Sequence, residues 1–111
     1  MPLLKTNKHP RNRRQSSRSV QASVRGAIVT PTVSTVTVTL TYDQPMVFSG
    51  ALPLFTVATV TVNSQTIVSS TVRTLTLSGS GAAKAWAQAA NDPSARTMTG
   101  GYVAAASGTF P

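Results

Sequence analysis

The sequence predicts an all-β fold, an antiparallel β-sandwich preceded by an extended basic N-terminal arm. Three observations support this prediction. Apolar and polar residues alternate strictly over residues 35–42, short strand-like runs recur about every 8–12 residues, and turn residues separate these runs. Helical patterns alternating with strands, as expected of a parallel α/β sheet, do not occur. We therefore divide the chain into an arm, residues 1–25, and a β-sandwich domain, residues 26–111.

The arm carries nearly all of the net charge. Its basic residues, which are the candidate partner-binding or nucleic-acid-binding residues, are Lys5, Lys8, Arg11, Arg13, Arg14, Arg18 and Arg25, with no acidic residue among them. The formal net charge of the chain is +8, so these seven residues leave a net charge of +1 on residues 26–111. The basic character belongs to the arm and not to the domain.

The arginines of the arm are spaced as on one side of a helix. Arg11, Arg14, Arg18 and Arg25 follow at intervals of three, four and seven residues. Free in water the arm is expected to be disordered, because its like charges repel and it buries little apolar surface. Bound to an acidic surface it could become helical. A solvated tail that only aids solubility is one alternative, and an Arg- and Ser-rich transit peptide is another. The arm has two prolines and few large apolar residues, which argues against a transit peptide.

The clearest strand is the stretch STVTVTLTYD, in which threonines occupy every second position. Its apolar members, which share the other parity, are Val36, Val38, Leu40 and Tyr42. This period of two in β-branched residues predicts a half-buried antiparallel strand. Asp43 and Pro45 then predict a turn.

Further strands are expected over residues 52–68. The parity of the apolar residues changes between Val57 and Val60, which predicts a bulge or break near residues 58–59. A turn is expected at Asn63–Ser64, before the short run TIV.

The next strand lies in the stretch TVRTLTLSGSG. Arg73, Leu75 and Leu77 share one face, and the arginine is expected at the solvated end of that face. The glycine-rich turn over residues 79–81 ends the strand.

Residues 82–90 fit either a helix or a strand. Six alanines with Lys84 and Gln88 are good helix formers, whereas Trp86 between small alternating residues suits a strand packed on an opposite sheet. The β context favours the strand.

With a loop over residues 91–101 and a last strand over residues 102–110, the count is about seven short strands. This number and spacing favour an antiparallel β-sandwich of the immunoglobulin-like type, and a small jelly roll or barrel is the second choice.

We expect no enzymatic activity and no cofactor. Asp43 and Asp92 are the only carboxylate side chains, both lie in predicted turns, and a turn aspartate usually caps its own backbone. The single histidine, His9, lies in the arm, and the chain has no cysteine and no glutamate. This set is too small for a catalytic acid–base pair or a metal site. The stretch GSGAAK lacks the Gly-Lys-Ser/Thr ending of a phosphate loop.

No membrane partner is expected either. No apolar run approaches the roughly 20 residues of a membrane-spanning helix. The first eight residues lack the apolar stretch of a signal peptide.

Residues 34–78 resemble the bacterial immunoglobulin-like repeats of surface adhesins and tailed-phage virion proteins. The matching stretches are STVTVTLTYDQP, TVTVNSQTIVSS and TVRTLTLSGSG: a strand, an Asp/Pro turn, a hairpin around Asn63 and a Leu-rich strand closed by glycine. In phages such domains often decorate capsids or tails, which is what the resemblance implies here. The acidic calcium ligands common in the adhesin repeats are missing, and adhesins do not begin with an Arg-rich arm. Both departures favour an intracellularly assembled particle.

The expected function is therefore that of a non-enzymatic virion structural protein, a phage minor capsid or cement (decoration) protein. Its partners would be the major capsid protein or other virion subunits, and an arm that passes inward would instead meet packaged nucleic acid. The protein would be a homo-oligomer within a large assembly in the virion, formed in the host cytoplasm. The domain has few charges to oppose close lateral packing. One alternative is a stand-alone nucleic-acid-binding protein whose arm binds phosphates without sequence preference. A secreted adhesive immunoglobulin-like module is the other.

Overall fold

The structure, a computed structural model, describes residues 26–111. This part of the chain is all-β, with strands in antiparallel sheets and no helix. The strands, in chain order, are β1 (Val29–Ser34), β2 (Thr37–Tyr42), β3 (Met46–Phe48), β4 (Phe55–Val57), β5 (Val62–Ser69), β6 (Val72–Leu77), β7 (Ala85–Gln88), β8 (Ala95–Thr97) and β9 (Ala106–Thr109). The all-β, antiparallel prediction is thereby confirmed.

The strands form three sheets. A four-stranded sheet has the order β1-β2-β6-β5, a three-stranded sheet has the order β4-β7-β9, and β3 pairs with β8 in a two-stranded ribbon. All ladder pairings are antiparallel, and an isolated parallel bridge joins Ala27 to Val103. The same bridge fixes the start of the described chain beside the segment that precedes β9.

One hydrophobic core takes residues from all three sheets. The members larger than alanine are Val29, Val38, Leu40, Tyr42, Met46, Phe55, Val57, Leu75, Leu77, Val103 and Phe110. The alternation of β2 and β6 explains their contribution, because every second residue of a strand faces the same side. At the other end of the core, Trp86 stacks on Phe55 with 5.7 Å between ring centroids.

Several local predictions are confirmed. Residues 82–90 contain the strand β7 rather than a helix. The break near residues 58–59 is a tight turn in which Thr59 has a φ of 64° and Val57 bridges Val60. Arg73, Leu75 and Leu77 do share one face of β6, and all three are buried.

Two short strands were missed. β3 lies in the segment predicted to be a turn, and β8 lies in the predicted loop over residues 91–101. Each has three residues, and they pair with one another from distant parts of the chain. Three residues among prolines and glycines are too few to show a period of two.

The turn predicted at Asn63–Ser64, and with it the hairpin around Asn63, is wrong. β5 runs unbroken from Val62 to Ser69, and its register with β6 shifts between Val62 and Ser64 and again between Ile67 and Ser69. The hairpin to β6 lies instead at residues 70–71. Continuous pairing with β6 absorbs the extra residue as a bulge, so no turn is required.

The solvated position predicted for Arg73 is also wrong. Its side chain is completely buried, directly opposite Leu40 in the β2–β6 ladder. The parity of β6 directs it inward, and buried hydrogen-bond acceptors receive its guanidinium.

Candidate interaction surface

The outer side of the four-stranded sheet is covered with hydroxyl groups. Apart from the half-buried Val72 opposite Thr41, the side chains here carry hydroxyl groups, and we call this surface the hydroxyl face. Its hydroxyl members are Thr30, Thr32, Ser34, Thr37, Thr39, Thr41, Ser64, Thr66, Thr74 and Thr76. Their side chains lie opposite to the buried parity of β2 and β6, and each is exposed or half-buried. No charged residue belongs to this surface.

The strand register aligns these residues in rows across the sheet. One row joins Ser34, Thr37, Thr76 and Ser64, because each lies opposite the next in its ladder. The row beside it joins the threonines at positions 32, 39, 74 and 66. Cross-strand threonine pairs of this kind stabilise a sheet by about 0.2–1 kcal/mol each. Methyl and hydroxyl groups therefore cover a surface four strands wide.

The remaining surface of the described domain carries few charges. Its charged side chains are Asp43, Arg73, Lys84, Asp92 and Arg96. Two of them, Arg73 and Asp92, are completely buried. Lys84 is half-buried and its ammonium donates to Thr59 Oγ1 at 2.6 Å. Only the side chains of Asp43 and Arg96 are both charged and exposed, whereas the surface of a soluble domain usually mixes many charges of both signs.

A buried polar network lies beneath the hydroxyl face and explains how Arg73 is held in the core. Its Nε donates to the hydroxyl of Tyr42 at 2.7 Å, Nη1 to Gln65 Oε1 at 3.1 Å and Nη2 to Ser94 Oγ at 3.0 Å. The guanidinium also lies 5.1 Å from the centroid of the Phe48 ring. Each of its nitrogens therefore has an acceptor, which offsets the cost of burying the charge.

Asp92 supplies the negative charge of this network. Its Oδ1 accepts from the backbone N–H of Ser94 at 2.9 Å, and its Oδ2 accepts from Leu54 N and Gln88 Nε2. Burial alone would raise the pKa of the Asp92 carboxyl, but the hydrogen bonds from Gln88, Ser94 and Leu54 outweigh it and lower the pKa. The prediction that this aspartate caps its own turn is confirmed by the Ser94 bond, although it also reaches two distant segments.

Burial raises the pKa of Tyr42, against the opposing effect of the Arg73 charge. The tyrosine is therefore a neutral hydrogen-bond acceptor for the guanidinium. Gln65 extends the network to the surface, since its Nε2 donates to the carbonyls of Gly50 and Ala51. The network thus connects β2, β5 and β6 to the loop before β4 and to the start of β8.

Asp43 takes part in a longer-range contact than predicted. Its Oδ1 accepts from the backbone N–H of Ile28 at 2.9 Å, fifteen residues away. The carboxylate therefore connects the end of β2 to the segment before β1.

Arg96 and Tyr102 form a second exposed feature. The Arg96 guanidinium lies 4.1 Å from the centroid of the Tyr102 ring and donates through Nε and Nη2 to the carbonyl of Gly100. Val47, which is 54% exposed, lies opposite Arg96 in the β3–β8 ladder. This small patch places one guanidinium over an exposed aromatic ring.

The seven basic residues predicted as binding residues all lie in residues 1–25, outside the described residues. Sequence reasoning also missed the network around Arg73 and Asp92. The available signal was the parity that Arg73 shares with Leu75 and Leu77, although the arginine was expected at the solvated end of that face.

Over residues 26–111 no three His, Cys, Asp or Glu side chains are placed to hold a metal ion. None of the described segments forms a helix long and apolar enough to cross a membrane. Comparisons with protein-family models, curated proteins and solved structures gave no significant match.

Proposed function

We propose that this chain is a non-enzymatic structural subunit of a virion, a phage minor capsid or cement protein attached through its basic arm. The observation that carries the proposal is the hydroxyl face, four strands wide and free of charge, on a domain with two exposed charged side chains. Burying a hydroxyl group against a neighbour costs far less than burying an unpaired charge. Such a surface suits close contact with other subunits.

The strand order supports an immunoglobulin-like sandwich as the form of this subunit. A constant-type immunoglobulin domain has one sheet of order A-B-E-D and a second of order C-F-G. If β1, β2, β5 and β6 are strands A, B, D and E, the four-stranded sheet has the first order. If β4, β7 and β9 are strands C, F and G, the three-stranded sheet has the second. The β3–β8 ribbon then joins the B–C and F–G connections.

The division of charge gives the arm and the domain separate tasks in this proposal. The seven basic residues of the arm pair with acidic groups of the major capsid subunits, and the domain packs laterally through surfaces that carry little charge. Charge-assisted hydrogen bonds between arginine and carboxylate are among the stronger polar contacts in proteins. In this proposal the arm attaches the protein to the capsid, and the domain packs against neighbouring subunits.

A second candidate is a nucleic-acid-binding protein, which the same seven basic residues favour. Each phosphate contact would release counterions, so its affinity would fall steeply with salt. The described domain has no interleaved basic and aromatic surface apart from the pair Arg96 and Tyr102. In this candidate the arm binds nucleic acid electrostatically, and the domain takes no part in the binding.

Sedimentation of the native protein from its source separates the two candidates. Extracts are run at about 0.15 M and 1 M salt, with and without nuclease. A virion subunit stays with a megadalton particle in all four conditions. Release by nuclease, or by salt alone as a free small protein, would contradict the proposal and support phosphate binding.

A further inference from the structure

Strand β5 is an open sheet edge. It is the longest strand of the described chain, with eight residues, and it ends the order β1-β2-β6-β5. Among the backbone hydrogen bonds that residues 26–111 make outside the strand ladders, none involves residues 62–69. The side of β5 that faces away from β6 therefore has backbone donors and acceptors without a backbone partner among residues 26–111.

This edge is only partly protected against pairing. Edge strands are normally shortened, bent by β-bulges, or carry proline or charged residues. The register of β5 with β6 shifts between Val62 and Ser64 and between Ile67 and Ser69, but residues 64–67 between these shifts pair regularly with β6. β1, at the opposite edge, has Pro31 near its centre, and the outer strands of the three-stranded sheet have only three and four residues. β5 contains neither proline nor a charged residue, and Ile67 and Val68 on it are 45% and 61% exposed. An edge of this kind is a template for an added strand.

The arm contains a segment with matching chemistry. Residues 19–24, SVQASV, are its longest run without a charged residue. The segment has no proline, and Val20, Ala22 and Val24 alternate with polar residues at a period of two. Added to β5, its apolar side would continue the side of Ile67, and its polar side would continue the hydroxyl face.

Distance prevents the segment from covering β5 of its own chain. Ala27 is held beside Tyr102 and Ala104 by backbone hydrogen bonds, just before β1. β1 lies three strand spacings from β5, about 14 Å. Val24 is three residues before Ala27 and can reach only about 11 Å, even when fully extended. Residues 19–24 could therefore lie along β5 only in another copy.

We propose that residues 19–24 of one copy add as a strand to the β5 edge of a second copy. This inference rests on the proposed function, because it names a second copy of the chain as one neighbour that the arm reaches. The contact is head-to-tail, since arm and edge are different surfaces, so it can continue from copy to copy or close into a ring. Arg18 and Arg25 flank the segment and remain available for acidic partners.

Disulfide trapping between full-length chains tests the proposal. Because the chain has no cysteine, only the introduced cysteines can form disulfides. A tagged Gln21→Cys chain is mixed with a Thr66→Cys chain, and separately with a Ser64→Cys chain to cover a two-residue change of register. Polar-side positions of the segment lie on the same side of the sheet as these two residues. A mixed disulfide dimer is expected with at least one of them.

The matched control is the Ala22→Cys chain, whose side chain lies on the opposite side of the added strand. Disulfides need Cβ atoms about 4 Å apart, so its yield with the same partners should be about tenfold lower. Val68→Lys at the edge should reduce the Gln21→Cys yield, whereas Val36→Lys, exposed in the β1–β2 turn, should leave it unchanged.

Three results would overturn the inference: no mixed dimer from folded chains, equal yields from Gln21→Cys and Ala22→Cys, or preferred Thr66→Cys homodimers, which would mean that two β5 edges pair. The fluorescence of Trp86, the only tryptophan, reports folding in each sample. If trapping fails while the native protein still sediments with a nuclease-resistant particle, the proposed function stands and only this inference falls.

Discussion

Ser94 connects two completely buried charges, the guanidinium of Arg73 and the carboxylate of Asp92. Arg73 Nη2 donates to Ser94 Oγ at 3.0 Å, and Ser94 N donates to Asp92 Oδ1 at 2.9 Å. The network places opposite charges in one core, so the interior of the domain has no net charge.

Arg73→Met should destabilise the domain by about 3 kcal/mol. Methionine fills much of the space, but it removes the donors to Tyr42 Oη, Gln65 Oε1 and Ser94 Oγ. Each buried acceptor left without a partner costs about 1–3 kcal/mol. Urea unfolding followed by Trp86 fluorescence measures the change. The control is Arg96→Met, an exposed arginine, which should cost less than about 1 kcal/mol. Equal stability of the two variants would contradict the role assigned to Arg73.

Asp92→Asn should reduce the loss of unfolding free energy between pH 7 and pH 3. The folded-state pKa of Asp92 is lowered, so its carboxylate contributes stability that is present above about pH 4 and is lost as the pH falls through the folded-state value. The variant should be less stable than wild type at pH 7 and should lose less between pH 7 and pH 3. Free energies of unfolding at both pH values check this. An acid loss in Asp92→Asn as large as that of the wild type would disprove the account.

Gly108→Val should displace the Trp86 ring. A Cβ at position 108 would lie 2.9 Å from Trp86 Cζ2, and Trp86 is the cross-strand partner of Gly108. Overpacking of this kind typically costs about 1–3 kcal/mol. We expect a shifted tryptophan emission maximum together with lower stability. Ser107→Val, on an exposed neighbouring position, serves as the control; identical spectra for both variants would argue against the close packing.

Thr76→Lys should weaken association with the particle without unfolding the domain. Residue 76 is exposed on the hydroxyl face, where a lysine would be buried without a partner if this face contacts another subunit. The bound fraction in a sedimentation assay is expected to fall at least about tenfold, corresponding to 1.4 kcal/mol. Thr56→Lys, on the exposed side of β4, should bind as the wild type does. Equal binding of the two variants would remove the hydroxyl face from the interface.

The sequence was most informative where a local period extends over many residues. The threonines of β2 and β6 indicate both the strands and the exposed side of the sheet. β3 and β8 could not be predicted, because each has three residues and its partner is about fifty residues away. Short strands of this kind depend on tertiary contacts rather than on local pattern.

The position of Arg73 could not be predicted from the sequence. Strand parity predicted that its side chain is buried, whereas the general preference of charged residues for solvent predicted that it is exposed. Arg73 follows strand parity and is buried, because Tyr42, Gln65 and Ser94 supply acceptors from three separate segments. No local sequence pattern brings those residues together. The near absence of charge on the domain, by contrast, could be read from composition alone.

The most direct test of the central claim is the salt dependence of release from the nuclease-treated particle. An arm that held the protein by phosphate contacts alone could release up to seven counterions, giving a slope of log affinity against log salt of about −6. The assembly account predicts that the protein stays bound between about 0.15 M and 1 M salt with a shallow slope, because salt screens the ion pairs of the arm but not the uncharged contacts of the domain. A steep slope, or loss of the particle-bound protein on nuclease treatment, would contradict it.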